Sequence, residues 1–329
     1  MDSVLTKPAI IWALDFEDGR PIACDEDGPV LCEPAQGSFR WLHLNLADQW
    51  TRQWIEAAEA VPRPLRAMLL EPERHQRALV EQGFVGCVLH DMERDFDRHD
   101  AERTGVLRLV LGPRLMITAR HHPLRSADIV RAHILRDRAE VPDAAAALDL
   151  IVTAIIESIA AVSRDYASQI ESFEDALLDR PESFDHRRLI GIRRRVVQFH
   201  RLLVGMRATL RRLEQDRDLP PALLPTVEDL AQQLGGIDSD MVSINGQLRL
   251  LREEADLQAT QRTNQNLYVL SILSALLLPA TLVTGFFGMN TGGLPFAEGA
   301  EGTAWAFGLA ALASLAVYLL LRRLGLHRR

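Results

Sequence analysis

Two sets of side chains in this sequence have the types and spacing for chemistry, and both point toward cations rather than covalent catalysis. The first is His90, Asp91, Glu93, Asp95, Asp97, His99 and Asp100, a run of imidazoles and carboxylates of the kind that ligates zinc. A solvated loop between strands has the same composition, so the run alone does not decide. The second is Ser274 and Thr281, two hydroxyls inside the apolar stretch Leu267–Asn290, with the Asn290 carboxamide at its end. Neutral oxygens in such a place contact a passing cation weakly. No nucleophile–base constellation and no phosphate loop occurs, so neither an enzyme nor a bound cofactor is expected. His121 and His122 close a strand, where neighbouring side chains alternate faces, which argues against joint ligation. His43 and His133 read as structural.

The apolar stretch that carries the hydroxyls sets the architecture. Nothing between Arg262 and Glu298 carries a full charge. At about 1.5 Å per helical residue, Leu267–Asn290 is long enough to cross the roughly 30 Å hydrocarbon core of a bilayer. A second apolar run, Ala304–Leu321, follows, and then the basic sequence RRLGLHRR. The expectation is a hairpin of two spans, at about 267–289 and 304–321. Arg322, Arg323, Arg328 and Arg329 follow the second span, whereas residues 291–303 contain no Lys or Arg. The positive-inside rule then places both termini in the cytoplasm. Phe286, Phe287, Phe296 and Trp305 stand where an outer aromatic belt would be.

The remaining chain is charged. Its 329 residues carry a net charge of -8, and the first 104 residues hold 20 Asp and Glu against 11 Lys and Arg. That balance excludes a nucleic-acid surface and suits a domain that gathers cations. Cys24, Cys32 and Cys87 have neither zinc-site spacing nor an even count for disulfides, and residues 1–30 lack the apolar core of a signal peptide. The front part is therefore expected in the cytosol.

Three regions must position these groups. Residues 1–122 read as a cytosolic α/β domain, with strands at Ala9–Leu14, Phe39–Leu46, Leu79–Met92, Val106–Leu111 and Leu115–Ala119. Thr51–Leu70 has helical spacing interrupted by Pro62 and Pro64. Residues 123–262 read as a helical domain. One helix starts at Pro142-Asp143 and runs to Asp179, and a second opens at Asp185 and carries an arginine-rich solvated face. A third follows Pro220-Pro221. In it Met241, Ile244, Leu248, Leu251 and Ala255 form a heptad-type seam that predicts burial against other copies of the chain. With no Pro or Gly from Gln247 to Leu278, this helix is expected to run on as a stalk into the first span. Residues 263–329 form the transmembrane domain and a basic cytosolic tail. The fold class is thus an α+β domain, then long stalk helices, then a two-helix transmembrane hairpin.

Two spans cannot enclose a polar path, so permeation would need several copies around an axis. The face able to line it reads Leu267, Leu270 or Ser271, Ser274, Leu278, Thr281, Gly285 and Gly288, at steps of three and four. Ordinary helix packing uses the same small residues. Spacing leaves both readings open.

Gly288-Met289-Asn290 at the end of the penultimate helix resembles the CorA family of divalent-cation transporters. Asn264, Pro279, Thr281 and Gly285 fall where that family's first span has such residues, and the order of α/β domain and helices matches over nearly the whole chain. The resemblance implies a funnel-shaped homopentamer in the inner membrane, multi-pass, with Gly288, Met289, Asn290 and Thr281 along the ion path. It also implies a regulatory metal position, which an ungapped count from Asn290 places at Asp229. A ring of Asn290 carboxamides would hold a cation through its water shell.

Within the family, magnesium-type members continue as M-P-E-L. Here Thr291-Gly292-Gly293-Leu294-Pro295 resembles the ZntB-like zinc-transporter branch instead. Glu298 and Glu301 then raise the cation concentration at the entrance loop. The spans and loop contain no His or Cys, so zinc would pass hydrated or held by oxygen. The expected partners are further copies of the chain, membrane lipid and divalent cations, with Zn²⁺ as the leading cargo. A Mg²⁺/Co²⁺ channel of the same family is the alternative. A membrane-anchored sensor, in which the hairpin is only an anchor, is the alternative from another class.

Overall fold

The computed structural model describes residues 8–23, 38–94, 103–136, 139–179, 185–289 and 302–323. The chain forms two compact units, Met1–Leu251 and Arg252–Arg329.

The first unit contains a seven-stranded sheet of β1 (Ile10–Glu17), β2 (Arg20–Ala23), β3 (Ser38–Asn45), β4 (Arg77–Glu81), β5 (Phe84–Met92), β6 (Thr104–Leu111) and β7 (Leu115–Arg120), in the order β2-β1-β3-β7-β6-β5-β4. Only β3 and β7 run parallel; the other neighbours are antiparallel. The single strand expected over 79–92 is two. Gln82 and Gly83 take φ of 53° and 79°, and the chain reverses so that Glu81 pairs with Phe84. Asp18-Gly19, with φ of 48° and 79°, does the same between β1 and β2. Both are two-residue hairpin turns with left-handed central residues, and glycine at the second position takes that conformation without strain.

One sheet face packs on α1 (Gln49–Ala57) and α2 (Arg63–Leu70), with Leu42, Leu44, Val88, Val110 and Ile117 against Ile55, Leu65, Met68 and Leu69. The break between the two helices spans residues 58–62 and ends at Pro62, as the sequence predicts, whereas Pro64 sits in the first turn of α2, where a proline is tolerated. The other face carries Trp41, Cys87, Leu89 and Leu109, all fully buried. There the unexpected helix α3 (Arg125–Arg136) starts where Asp91 accepts hydrogen bonds from the Ser126 backbone N (3.1 Å) and hydroxyl (2.6 Å).

Three long helices follow: α4 (Ala144–Asp179), α5 (His186–Glu214) and α6 (Leu224–Gly288). Asp185 caps α5 by accepting from the Arg187 and Arg188 amides. Tyr166 of α4 meets Phe199 of α5 at 6.0 Å between ring centroids, and Arg207 of α5 reaches Asp238 of α6 at 3.2 Å. One expectation is overturned here. Met241, Ile244, Leu248 and Leu251 are 5 % exposed or less within a single chain. The seam is covered by its own chain and does not call for other copies.

The second unit contains the rest of α6, together with α7 (Gly302–Arg323). Among the described residues three helices are long and apolar enough to cross a membrane, namely α4, α6 and α7. They differ in what covers them: the most apolar window is 56 % buried in α4, none of it in the α6 helix and 6 % in α7. Protein surrounds the first, whereas the other two present bare aliphatic surface.

Candidate functional site

The part of α6 in the second unit has two opposite sides. Tyr268, Ile272, Ala275, Leu276, Pro279, Val283 and Phe287 are half-buried and recur at helical spacing. Within this stripe the Leu276 carbonyl accepts a hydrogen bond from Ser314 of α7 at 2.9 Å. The matching stripe of α7 is Gly302, Ala306, Ala310, Ala313, Ser314 and Val317. Small side chains let two helices approach, and a serine that donates to a backbone carbonyl satisfies itself without water.

The face expected to line a path lies on the other side. Leu267, Leu270, Ser274, Leu278, Thr281, Gly285 and Gly288 are all exposed. None belongs to the stripe facing α7. The Thr281 hydroxyl donates to the carbonyls of Leu278 (2.8 Å) and Leu277 (3.2 Å), which lie in the turn that Pro279 disturbs. Its proton is thereby turned into the helix, and the oxygen keeps lone pairs for an outside donor such as the water shell of a cation. A Cβ added at Gly285 or Gly288 would meet nothing within 4 Å. Close packing inside the chain therefore does not explain these glycines. Met289 follows the helix, with its amide 3.4 Å from the Phe286 carbonyl. Asn290, Glu298 and Glu301 lie outside the described residues.

Asp229 lies in the second turn of α6, in the first unit. It is exposed and accepts from Gln233 Nε2 at 2.8 Å. Partial desolvation and the Asp229 charge together hold the Asp149 carboxyl of α4 above its ordinary pKa. The two carboxylates thus feel one another across α4 and α6, a like-charge pair that a cation would relieve.

The described residues of the 90–100 run, 90–94, form no metal site. Asp91 is buried and spent on the Met92 and Ser126 amides and the Ser126 hydroxyl, with burial pushing its carboxyl up to about 6. Asp95, Asp97, His99 and Asp100 lie outside the described residues. Among the described residues no three His, Cys, Asp or Glu side chains gather as for a metal ion. β7 ends at Arg120, so His121 and His122 lie beyond the strand, and both line one cavity.

His43 is structural, and its neighbours fix its protonation. Thr118 Oγ1 donates to the Leu42 carbonyl (3.2 Å) and accepts from Trp41 Nε1 (3.0 Å), so the His43 Nδ1 contact at 2.9 Å is an N–H donated to that hydroxyl. Arg120 Nε donates to His43 Nε2 at 3.0 Å. Burial first, and the Arg120 charge second, lower the imidazole to about 3.

The chain thus combines a charged α/β unit, a 65-residue helix and a second apolar helix, with a face of small and hydroxyl side chains left open. The family description "CorA-like Mg2+ transporter protein" matches residues 36–323, and the chain belongs to this family of divalent metal-ion transporters. A zinc transport protein ZntB of Klebsiella pneumoniae is 24 % identical over 305 residues, covering 90 % of this chain and 87 % of the relative. Among solved structures, full-length CmaX superposes with a TM-score of 0.80 at 20 % identity, covering 97 % of this chain and 98 % of the other. The CorA magnesium transporter of Methanocaldococcus jannaschii gives 0.76 at 17 %, covering 95 % and 98 %.

Proposed function

We propose that this chain assembles as a homopentamer in the inner membrane and conducts divalent cations, Zn²⁺ foremost, through a path lined by α6. The observation that carries the proposal is the exposed face from Leu267 to Gly288, opposite the stripe that holds α7. In a single chain this face has no partner, and around an axis it becomes the lining. Leu270 and Leu278 would be apolar constrictions, and Ser274 and Thr281 the oxygen contacts between them. Gly288, Met289 and Asn290 would cap the path, with the carboxamide holding a hydrated ion from outside its water shell. Glu298 and Glu301 would enrich cations at the mouth. The two spans would be α6 and α7, with both termini cytoplasmic. Asp229, opposed by Asp149, is the cytoplasmic position where a bound cation would act on α6.

Zinc is favoured by the similarity to ZntB and by Thr291-Gly292-Gly293-Leu294-Pro295 after the cap. A Mg²⁺/Co²⁺ channel is the second reading, supported by the family description itself. Flux of Zn²⁺, Mg²⁺, Co²⁺ and Ni²⁺ into proteoliposomes, wild type against Asn290→Ala, tests both. Loss of the carboxamide should lower flux by about tenfold or more, the scale of one hydrogen bond to a charged group. Equal flux from the two proteins would leave the hairpin as an anchor and sink the proposal. The ion carried fastest decides between zinc and magnesium.

A further inference from the structure

The α/β unit contains a cavity that the transport path does not use. It measures about 210 Å³ and is lined by Pro72 and Arg74 of the α2–β4 connection, Glu93, Gly105, Val106 and Arg108 of the β5–β6 region, and His121 and His122 after β7. Arg108 is its most unusual wall. It lies between Val106 and Val110 on the sheet face that packs α1 and α2, and only 2 % of it is exposed. Its Nη2 donates to the backbone carbonyls of Glu71 (2.9 Å) and Glu73 (3.1 Å), while its Nε has no hydrogen-bond partner. Among the described residues no carboxylate forms an ion pair with it. The carboxylates of Glu71 and Glu73, the residues whose backbone carbonyls Arg108 holds, are both taken by Arg77.

A guanidinium removed from water without a counter-charge is costly, and here like charges surround it. Burial first, then Arg77, Arg74 and Arg52, act against the Arg108 charge, with Glu71 opposing them. Burial, followed by Arg108, Arg52 and Arg74, acts on His121. His90, on the same sheet face, has a buried Nδ1 without a partner. Glu93 is the one acid in the wall. A cation would find two arginines here and no set of three ligands. An anion would find a buried guanidinium in the wall, a second guanidinium at the rim and two imidazoles able to donate.

We propose that this cavity binds a phosphate-type oxyanion, either free or as the phosphoryl group of a small molecule. Arg108 forms its floor, and Arg74, His121 and His122 close over the ligand. Planar guanidinium donors match the oxygens of a tetrahedral oxyanion, and a buried setting strengthens each charge-assisted bond. The site makes no use of α7 or of the apolar part of α6, so it stands or falls independently of the transport reading.

Calorimetric titration of the full-length protein in detergent with inorganic phosphate, and separately with ADP, tests the proposal. Saturable binding of one equivalent per chain is expected. Arg74→Ala and His121→Ala, both at exposed positions, should each weaken it by about tenfold while leaving the ligand-free melting temperature unchanged. Glu93→Gln should tighten it, because the only acid in the wall repels the ligand. ADP binding much tighter than phosphate identifies the phosphoryl group of a nucleotide, and equal affinities identify the free oxyanion. The proposal is overturned if neither probe saturates, if the rim variants bind like wild type, or if Glu93→Gln weakens binding. Zn²⁺ that binds wild type but not His121→Ala would overturn it as well, since it would make the cavity a cation site.

Discussion

At the scale of single residues, the structure separates histidines and carboxylates that hold the fold from those open to ligands. His43 shows how. Its ring gives one proton to Thr118 and takes one from Arg120, an arrangement only the neutral tautomer satisfies. Its folded pKa of about 3 lies below the unfolded value of 6.5, so its contribution is fully present above pH 6.5. It is lost as pH falls from 6.5 toward 3, because the unfolded chain binds the proton and the fold does not. Between pH 7 and 5 this costs about 2 kcal/mol. The pH dependence of thermal unfolding should therefore be flatter by that amount in His43→Phe, although that variant is less stable at pH 7 for want of the Thr118 and Arg120 contacts. An unchanged slope would show that His43 does not titrate with unfolding. The sequence made His43 legible as structural, since it sits within an apolar strand. It did not reveal that Asp91 serves α3, because Ser126 lies 35 residues away and only the fold brings the two together. Nor could it place His121 and His122 on one cavity, since that depends on β7 ending at Arg120.

At the scale of elements, the long periodic helices and short β-branched strands were legible, whereas turns inside apolar runs were not. Gln82-Gly83 splits one expected strand in two without any proline to announce it. Spacing picked out the Leu267–Gly288 stripe without deciding between a lining and helix packing, and its opposite number on α7 was missed. Ala306, Ala310 and Ala313 read only as part of a uniform apolar run until Ser314 was seen to reach Leu276. Two substitutions separate the sides of this hairpin. Ala310→Leu puts bulk into a position 8 % exposed and should destabilise the detergent-solubilised protein by about 1–3 kcal/mol, while Leu312→Ala, at a site 68 % exposed, should have little effect on its melting. Gly285→Leu should behave oppositely. A side chain there meets nothing in its own chain, so melting of the monomeric protein stays the same, while flux in proteoliposomes falls by about tenfold or more. Unchanged flux would mean that the face looks at lipid.

At the scale of the whole molecule, the order of the parts was readable because charge and hydropathy change so sharply along the chain. The family assignment then followed from residues 36–323 as a block. What could not be read was whose side chains cover the seam from Met241 to Leu251. A heptad pattern reports that a stripe is buried, not whether the cover comes from the same chain or another. Since the same chain covers it, residues 1–251 should fold alone and melt at a temperature independent of protein concentration between micromolar and tens of micromolar. A midpoint that rises with concentration would return the seam to an intermolecular role. A subunit that completes its own interior before meeting a neighbour has no reason to choose among neighbours. If the chain forms the proposed pentamer, co-expressed intact and impaired copies should therefore mix at random, giving mosaics in which one poor member degrades the whole, rather than orphans left for proteases.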